Sequence, residues 1–448
     1  MKGKIFWRGD AGYEEARVGR VFNQRRPDRY PECVVFATDE DDVIATVKLA
    51  RERGWKIAMR SGGHSWAAWS VRDQGVLLDL SLMREMRLDP STNIVSVSPA
   101  IKGGAELNPY LAERGLMFNG GHCPTVGLGG FLLQGGMGWN CRSWGWACES
   151  IVAIDVVTAD GELVRADETN HPDLFWAARG AGPGFFGVVT RFHLRARPHP
   201  KALTESVYVF PKQCYEAVLH WAHAIHASVA PSVELVVLGV TPPGESEPRV
   251  VVLALALVDT PEEAAAALAP FENCPVLDQA IAHVFARPTT FAEQLAKQVE
   301  QNPEGYRYAA DNVWLDGPTD DVIARMRDAF VALPNATSYT LWYSMAPLRQ
   351  LPDMALSLQL DVYLAVYVNW QDAHDDAHYR NWLAERMRQL APVTLGQYLG
   401  DSDFTTRSSR FVSDAAWQKL QRIRAHYDAD GLFHSYLTAD EARLNTNS

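Results

Sequence analysis

At 448 residues the chain is too long for a single ordinary core, and two domains are expected. Its 47% hydrophobic and 21% charged residues exclude a disordered chain, while 14 Trp, 15 Tyr and 17 Phe can line large apolar pockets. A net charge of -12 with no clustered Lys/Arg stripe argues against a nucleic-acid partner, and no run nears the roughly 18 apolar residues of a membrane span.

The first ten residues place charges at Arg8 and Asp10 where a signal peptide would carry its apolar core, so a cytoplasmic location is expected. A β-rich run follows at 30–37. Asp39-Glu40-Asp41-Asp42 then opens an apolar-periodic helix over 43–53, because acidic side chains suit the positive end of the helix dipole. Short strands are predicted at 56–60, 76–80 and 94–98. Two apolar runs, 150–158 and 163–164, flank Asp160-Gly161, a hairpin signal because glycine accepts positive φ at little cost. A strand at 187–194 ends this glycine-rich half, and Arg197-Pro198-His199-Pro200 marks a boundary near residue 200.

Beyond it, helices predicted over 212–228, 261–271, 320–333 and 373–390 alternate with strands at 233–240, 250–257, 338–345 and 356–370. One antiparallel sheet carrying helices on one face accommodates them, and the whole reads as α+β. A last helix, 414–427, precedes a turn at 428–433. The six cysteines show no CxxC pair, and most are expected to be buried thiols. His220, His223 and His226, like His374 and His378, lack the partners of a metal site, and no metal is expected.

Two glycine turns carry the chemistry. Residues 120–138 hold eight glycines, and successive free N–H groups on such a backbone make concave anion sites. The spacing is neither GxGxxG nor a P-loop. His64 closes the other turn at a strand end, where its ring can be presented to a ligand.

Arg60-Ser61-Gly62-Gly63-His64-Ser65-Trp66 together with Cys123-Pro124-Thr125-Val126-Gly127-Leu128-Gly129-Gly130 resembles the berberine-bridge-enzyme-like branch of the vanillyl-alcohol-oxidase flavoproteins. Leu174 to Gly182, Phe186 to Thr190 and Tyr427 to Phe433 match the later motifs of that family in order. The resemblance implies a two-domain PCMH-type FAD-binding fold: an FAD-binding domain at 1–200, an inserted substrate domain at 201–400, and a segment 401–448 returning to the first. It implies FAD bonded through its 8α carbon to His64 and through C6 to Cys123. Ser61, Gly62, Gly63, Ser65, Pro124, Thr125, Val126, Gly127, Gly129 and Gly130 would wrap the cofactor, with Gly187 and Val189 adding backbone contacts. Val126 stands where relatives gate oxygen, and its small side chain favours an oxidase.

Several relatives take their base from a Tyr-x-Asn loop; Gln397-Tyr398-Leu399-Gly400-Asp401 keeps the tyrosine but places Gly400 at the asparagine position, and Tyr398 is the candidate base. Alternation along 360–370 puts Asp361, Tyr363, Tyr367 and Asn369 on one face. That face either looks at substrate, with Asp361 as proton acceptor, or is the solvent side of an edge strand. The expected function is an FAD-dependent oxidase passing hydride from an alcohol of a carbohydrate or secondary metabolite to flavin N5, with O2 reduced to H2O2. An amine or alkaloid oxidase, an oxidative cyclase, a dehydrogenase and a flavin carrier without turnover are the alternatives.

Overall fold

The computed structural model describes residues 1–438. The acidic cluster starts a helix as expected. Asp39 caps it by accepting from the Asp42 N–H, and Glu40–Arg53 runs until Gly54 turns left-handed. This helix serves a four-stranded sheet of β1 (Lys4–Trp7), β2 (Cys33–Phe36), β3 (Ile57–Arg60) and β4 (Val76–Asp79), ordered β1-β2-β4-β3. Both β2 and β3 run parallel to β4, and β4 is buried along its whole length, as parallel strands covered on two faces must be.

A second sheet is antiparallel: β5 (Met86–Asp89), β6 (Ile94–Val97), β8 (Ile151–Val157), β9 (Leu163–Ala166) and β10 (Val188–Arg195), ordered β5-β6-β10-β8-β9. The Asp160-Gly161 turn joins β8 to β9. β7 (Leu116–Met117) pairs with β11 (Arg197–Pro198), so the Pro-rich stretch read as a linker begins as a strand.

From residue 202 the chain builds one antiparallel sheet of β12 (Ala202–Pro211), β13 (Val233–Val240), β14 (Arg249–Val258), β15 (Ala282–Pro288), β16 (Arg307–Leu315), β17 (Tyr339–Ser344), β18 (Val362–Trp370) and β19 (Thr394–Gly396). Their order is β15-β12-β14-β13-β17-β18-β16-β19. Alternation divides its faces. Leu364, Val366 and Val368 of β18 pack into a core with Met326, Phe330, Met387 and Leu390 from the helices Thr319–Val331 and Asp376–Leu390. Tyr363, Ala365 and Tyr367 point the other way, into a core shared with the first two sheets. β18 starts at Val362 rather than near 356, because Leu356 turns aside to donate its N–H to the Arg179 carbonyl (2.8 Å).

The helix Asp414–Tyr427 is capped by Ser413 and packs on Pro172–Ala177. The Asp428 carboxylate then accepts the N–H groups of Leu432 (2.6 Å) and Phe433 (3.2 Å), turning the chain back. Ile57 donates to the Leu432 carbonyl (2.8 Å) and accepts from the His434 N–H (2.9 Å), so the C-terminal segment lies along the free edge of β3.

Candidate active site

The first glycine turn is fixed from beneath by a buried ion cluster. Arg60 and Asp79 end the paired strands β3 and β4 with fully buried side chains, and Arg60 Nε donates to Asp79 Oδ2 at 2.6 Å. Arg20 adds a second guanidinium at 2.6 Å and donates to the Ser61 carbonyl at 2.8 Å. Burial works to raise the Asp79 pKa, but the two arginines outweigh it and hold the carboxyl below its usual range. Gly63 follows at φ +77°, and a Cβ there would lie 1.9 Å from the Arg20 carbonyl oxygen, so the turn admits only glycine. His64 leaves it stacked on Phe22, ring centroids 4.5 Å apart. Burial, helped by Lys102, pushes its imidazole pKa down to about 4, leaving the ring neutral with a free nitrogen lone pair.

The second turn meets the first backbone to backbone. A Cβ on Gly62 would stand 2.6 Å from the Gly127 nitrogen, while Gly130 donates to Ser61 Oγ (3.3 Å) and has nothing within 4 Å of its Cβ position. Between these turns and the inner face of the large sheet lies a cavity of about 470 Å³. Ser61, Gly62, Gly63, His64, Ser65, Cys123, Val126, Gly127, Gly129, Gly130, Gly187 and Val189 all line it. Pro124 and Thr125, also expected on the cofactor, do not. Pro124 is turned onto Gly104, its carbonyl accepting from the Ala105 N–H (3.0 Å), and the Thr125 hydroxyl lies 3.6 Å from Cys123 Sγ. All six cysteines are free thiols, and Cys123 alone is not fully buried.

On the sheet side, Tyr363, Tyr367 and Tyr398 line the cavity, but Asp361 and Asn369 do not. Asp361 precedes β18, is exposed, and has His223 and His226 as its electrostatic neighbours, because the alternation that would aim it inward begins one residue later. Asn369 is buried at the far end of the strand, where its amide donates to the Thr337 carbonyl (2.8 Å). Tyr398 Oη accepts the N–H groups of Gly136 (3.1 Å) and Met137 (3.2 Å). Burial, reinforced by the Asp401 charge, nevertheless lifts its pKa far above the usual phenol value, so it stays protonated.

Asp401, which sequence reasoning passed over, puts a carboxylate on this wall. Tyr363 Oη donates to its Oδ2 at 2.7 Å and Trp66 Nε1 to its Oδ1 at 3.2 Å. Burial and the Asp401 charge hold the Tyr363 and Tyr367 phenols well above their normal range. The one sequence signal was its place three residues after Tyr398, in a single 3-10 turn (Leu399–Asp401) too short for periodicity to tell where a side chain points. Between the polar groups the sheet presents Val236, Leu238, Leu253, Leu255 and Leu341 to the cavity.

Bare backbone at 62–63 and 127–130, with a neutral imidazole and a thiol on the same wall, suits a dinucleotide whose ring system is held beside the sheet. Glycine turns over a tyrosine-faced antiparallel sheet define a two-domain flavin-dependent oxidoreductase. Residues 31–167 match the FAD binding domain family, and the chain is 36% identical over 424 residues to the FAD-linked oxidoreductase ptmO of Penicillium ochrochloron, covering 94% of this chain and 93% of that one. The protein belongs to the FAD-linked oxidoreductases and binds FAD. Its fold is that of the berberine-bridge-enzyme-like branch. The structure of 6-hydroxy-D-nicotine oxidase from Arthrobacter nicotinovorans superposes with a TM-score of 0.84 at 21% identity, covering 97% of both chains. BBE-like 1 of Physcomitrella patens gives 0.82 at 18% identity, covering 97% of this chain and 96% of that one. Among the described residues, no helix is long and apolar enough to cross a membrane.

Proposed function

We propose that the enzyme oxidises an alcohol of an apolar secondary metabolite with O2 as acceptor, giving the carbonyl compound and H2O2, on an FAD tethered through both His64 and Cys123. The observation that carries this reading is the Asp401 carboxylate, held by Tyr363 and Trp66 on the wall of the cavity that His64 and Cys123 also line. When bound, FAD supplies the hydride acceptor at N5. Trp66 and Tyr363 each hold one oxygen of Asp401, leaving lone pairs free to take the substrate hydroxyl proton. Tyr398, protonated, donates to the substrate oxygen rather than acting as the base. Asp401 takes the place expected for Asp361.

The neutral His64 ring supports the histidyl tether, since an imidazole nitrogen must be unprotonated to form a bond. Cys123 is the one cysteine on the cavity wall. Val126 on that wall leaves room for O2. The aliphatic patch on β13, β14 and β17 favours an apolar molecule over a carbohydrate, whose hydroxyls would lose water there without replacement hydrogen bonds. We take residues 1–200 with 401–438 as the FAD-binding domain and 201–400 as the substrate domain, residues 439–448 lying outside the described ones; the single sheet spanning β12 to β19 and the return of the chain to β3 support that division.

Acid precipitation tests the tethers. The precipitate stays yellow in wild type and in either single alanine variant at His64 or Cys123, and turns colourless only in the double variant; a colourless wild-type precipitate would overturn the covalent reading. Anaerobic mixing with apolar alcohols tests the reaction, which requires bleaching of the flavin and peroxide release when air is admitted.

A further inference from the structure

The cavity has a second polar end that the reaction just described does not use. Glu234, on β13, is only 3% exposed, yet it carries a carboxylate into the wall beside Val236 and Leu238. Its Oε1 accepts the Asn140 N–H at 2.6 Å, and its Oε2 meets His122 Nε2 at 3.1 Å. No Lys or Arg forms a salt bridge to it among the described residues: the nearby Arg142 spends its donors on the carbonyls of Ala230, Val233, His226, Val229 and Ala346. Two of the four acceptor positions of the carboxylate are thus filled. Tyr343, on β17, is 3% exposed and lines the same cavity, and its hydroxyl faces Glu234 without a well-formed hydrogen bond. Burial and the facing Glu234 charge keep that phenol protonated.

A buried hydroxyl without a well-formed hydrogen bond costs roughly 1 to 3 kcal/mol, and the carboxylate beside it, with one donor on each oxygen, has acceptor positions left for a donor on a ligand. Both groups face the space where substrate must lie. We propose that Glu234 and Tyr343, with His122 behind them, form an anchor for a hydrogen-bond donor on the substrate, remote from the carbon oxidised at Asp401. A carboxylate only accepts, so the anchored group is an O–H or N–H. Tyr343 stands directly opposite Tyr363 in the β17–β18 register, while Glu234 lies one strand further, on β13, and two residues along from the partner of Tyr343, which places its backbone about 10 Å from that of Tyr363. The substrate class is therefore an elongated apolar molecule with an alcohol at one end and a donor at the other. This rests on the alcohol-oxidation reading for the end at Asp401, but not for the anchor itself.

A matched pair of probes tests it: a medium-chain α,ω-alkanediol whose oxygens stand about 10 Å apart, and the 1-alkanol of equal length. Binding is read anaerobically as perturbation of the flavin absorption spectrum, and oxidation separately as bleaching. The diol should bind wild-type holoenzyme roughly ten-fold more tightly than the mono-alcohol, the contribution of one hydrogen bond to a charged group. Tyr343→Phe removes only an oxygen without a well-formed hydrogen bond and should fold normally; it and Glu234→Gln should each abolish most of the advantage of the diol and leave flavin content unchanged. Equal affinity in wild type, an advantage that survives both substitutions, or binding of neither probe overturns the anchor. Tight diol binding that never bleaches the flavin retains the anchor and sinks the alcohol-oxidation reading, whereas bleaching by both probes with equal affinity does the reverse.

Discussion

The two walls of the cavity are built from different materials. On one side the turns at 61–65 and 123–130 present main chain, made bare by glycine and held by a buried cluster of Arg20, Arg60 and Asp79. On the other, the sheet and the turn at 398–401 beside it present mainly side chains: tyrosines, aliphatics and two separate carboxylates. The difference separates what each wall can vary. A backbone cradle tolerates almost no substitution and serves a cofactor of constant shape. A strand face changes its chemistry one residue at a time without moving its backbone, and so can follow the substrate.

If that division is right, damage to each wall should produce a distinct defect. Asp401→Asn keeps the shape and the flavin but removes the proton acceptor. It should slow flavin reduction about a hundred- to ten-thousand-fold with any alcohol that bleaches wild type, leaving acid-stable flavin intact; loss of flavin instead would break the separation. Asp79→Asn strikes the other wall by leaving Arg60 buried without its counter-charge, and should cost about 3 to 5 kcal/mol of stability in denaturant titration. The sign of its pH dependence follows from the depressed carboxyl pKa. Asp79 contributes its stability above the unfolded-state value of about 4, and the contribution is lost as pH falls through the lower folded-state value. Wild-type melting temperature should therefore drop in acid below about pH 4, and the variant should drop less steeply. The smallest effect is expected of Asp361→Asn, which touches neither wall: flavin reduction should stay within about twofold of wild type, a surface substitution in its outcome.

The same contrast explains what could be read from the chain alone. Glycine spacing reports backbone requirements, so the two turns were legible, as were helix starts such as Asp39 and the alternation that aims Tyr363 and Tyr367 into the cavity. Parity failed at both ends of β18: Asp361 lies just outside the strand, and Asn369 lies beyond the reach of the cavity. Asp401 and Glu234 were missed for different reasons. Asp401 ends a single 3-10 turn with no periodicity to read, and hydrogen bonds from Trp66 and Tyr363, distant in sequence, fix its direction. Glu234 occupies a regular strand, but which face of β13 meets the cavity depends on pairing with β14 and β17, information a single strand does not carry.

The hydrogen bonds of Leu432 and His434 to Ile57 have a bearing on the birth of the enzyme. β3, the strand that delivers His64, sits at the margin of its sheet, and the strip of chain covering that margin is made long after it. The histidine's supporting strand is completed only once residues 432–434 have been synthesised. Chains cut short before those residues are left with an uncovered strand margin, a handle for quality control.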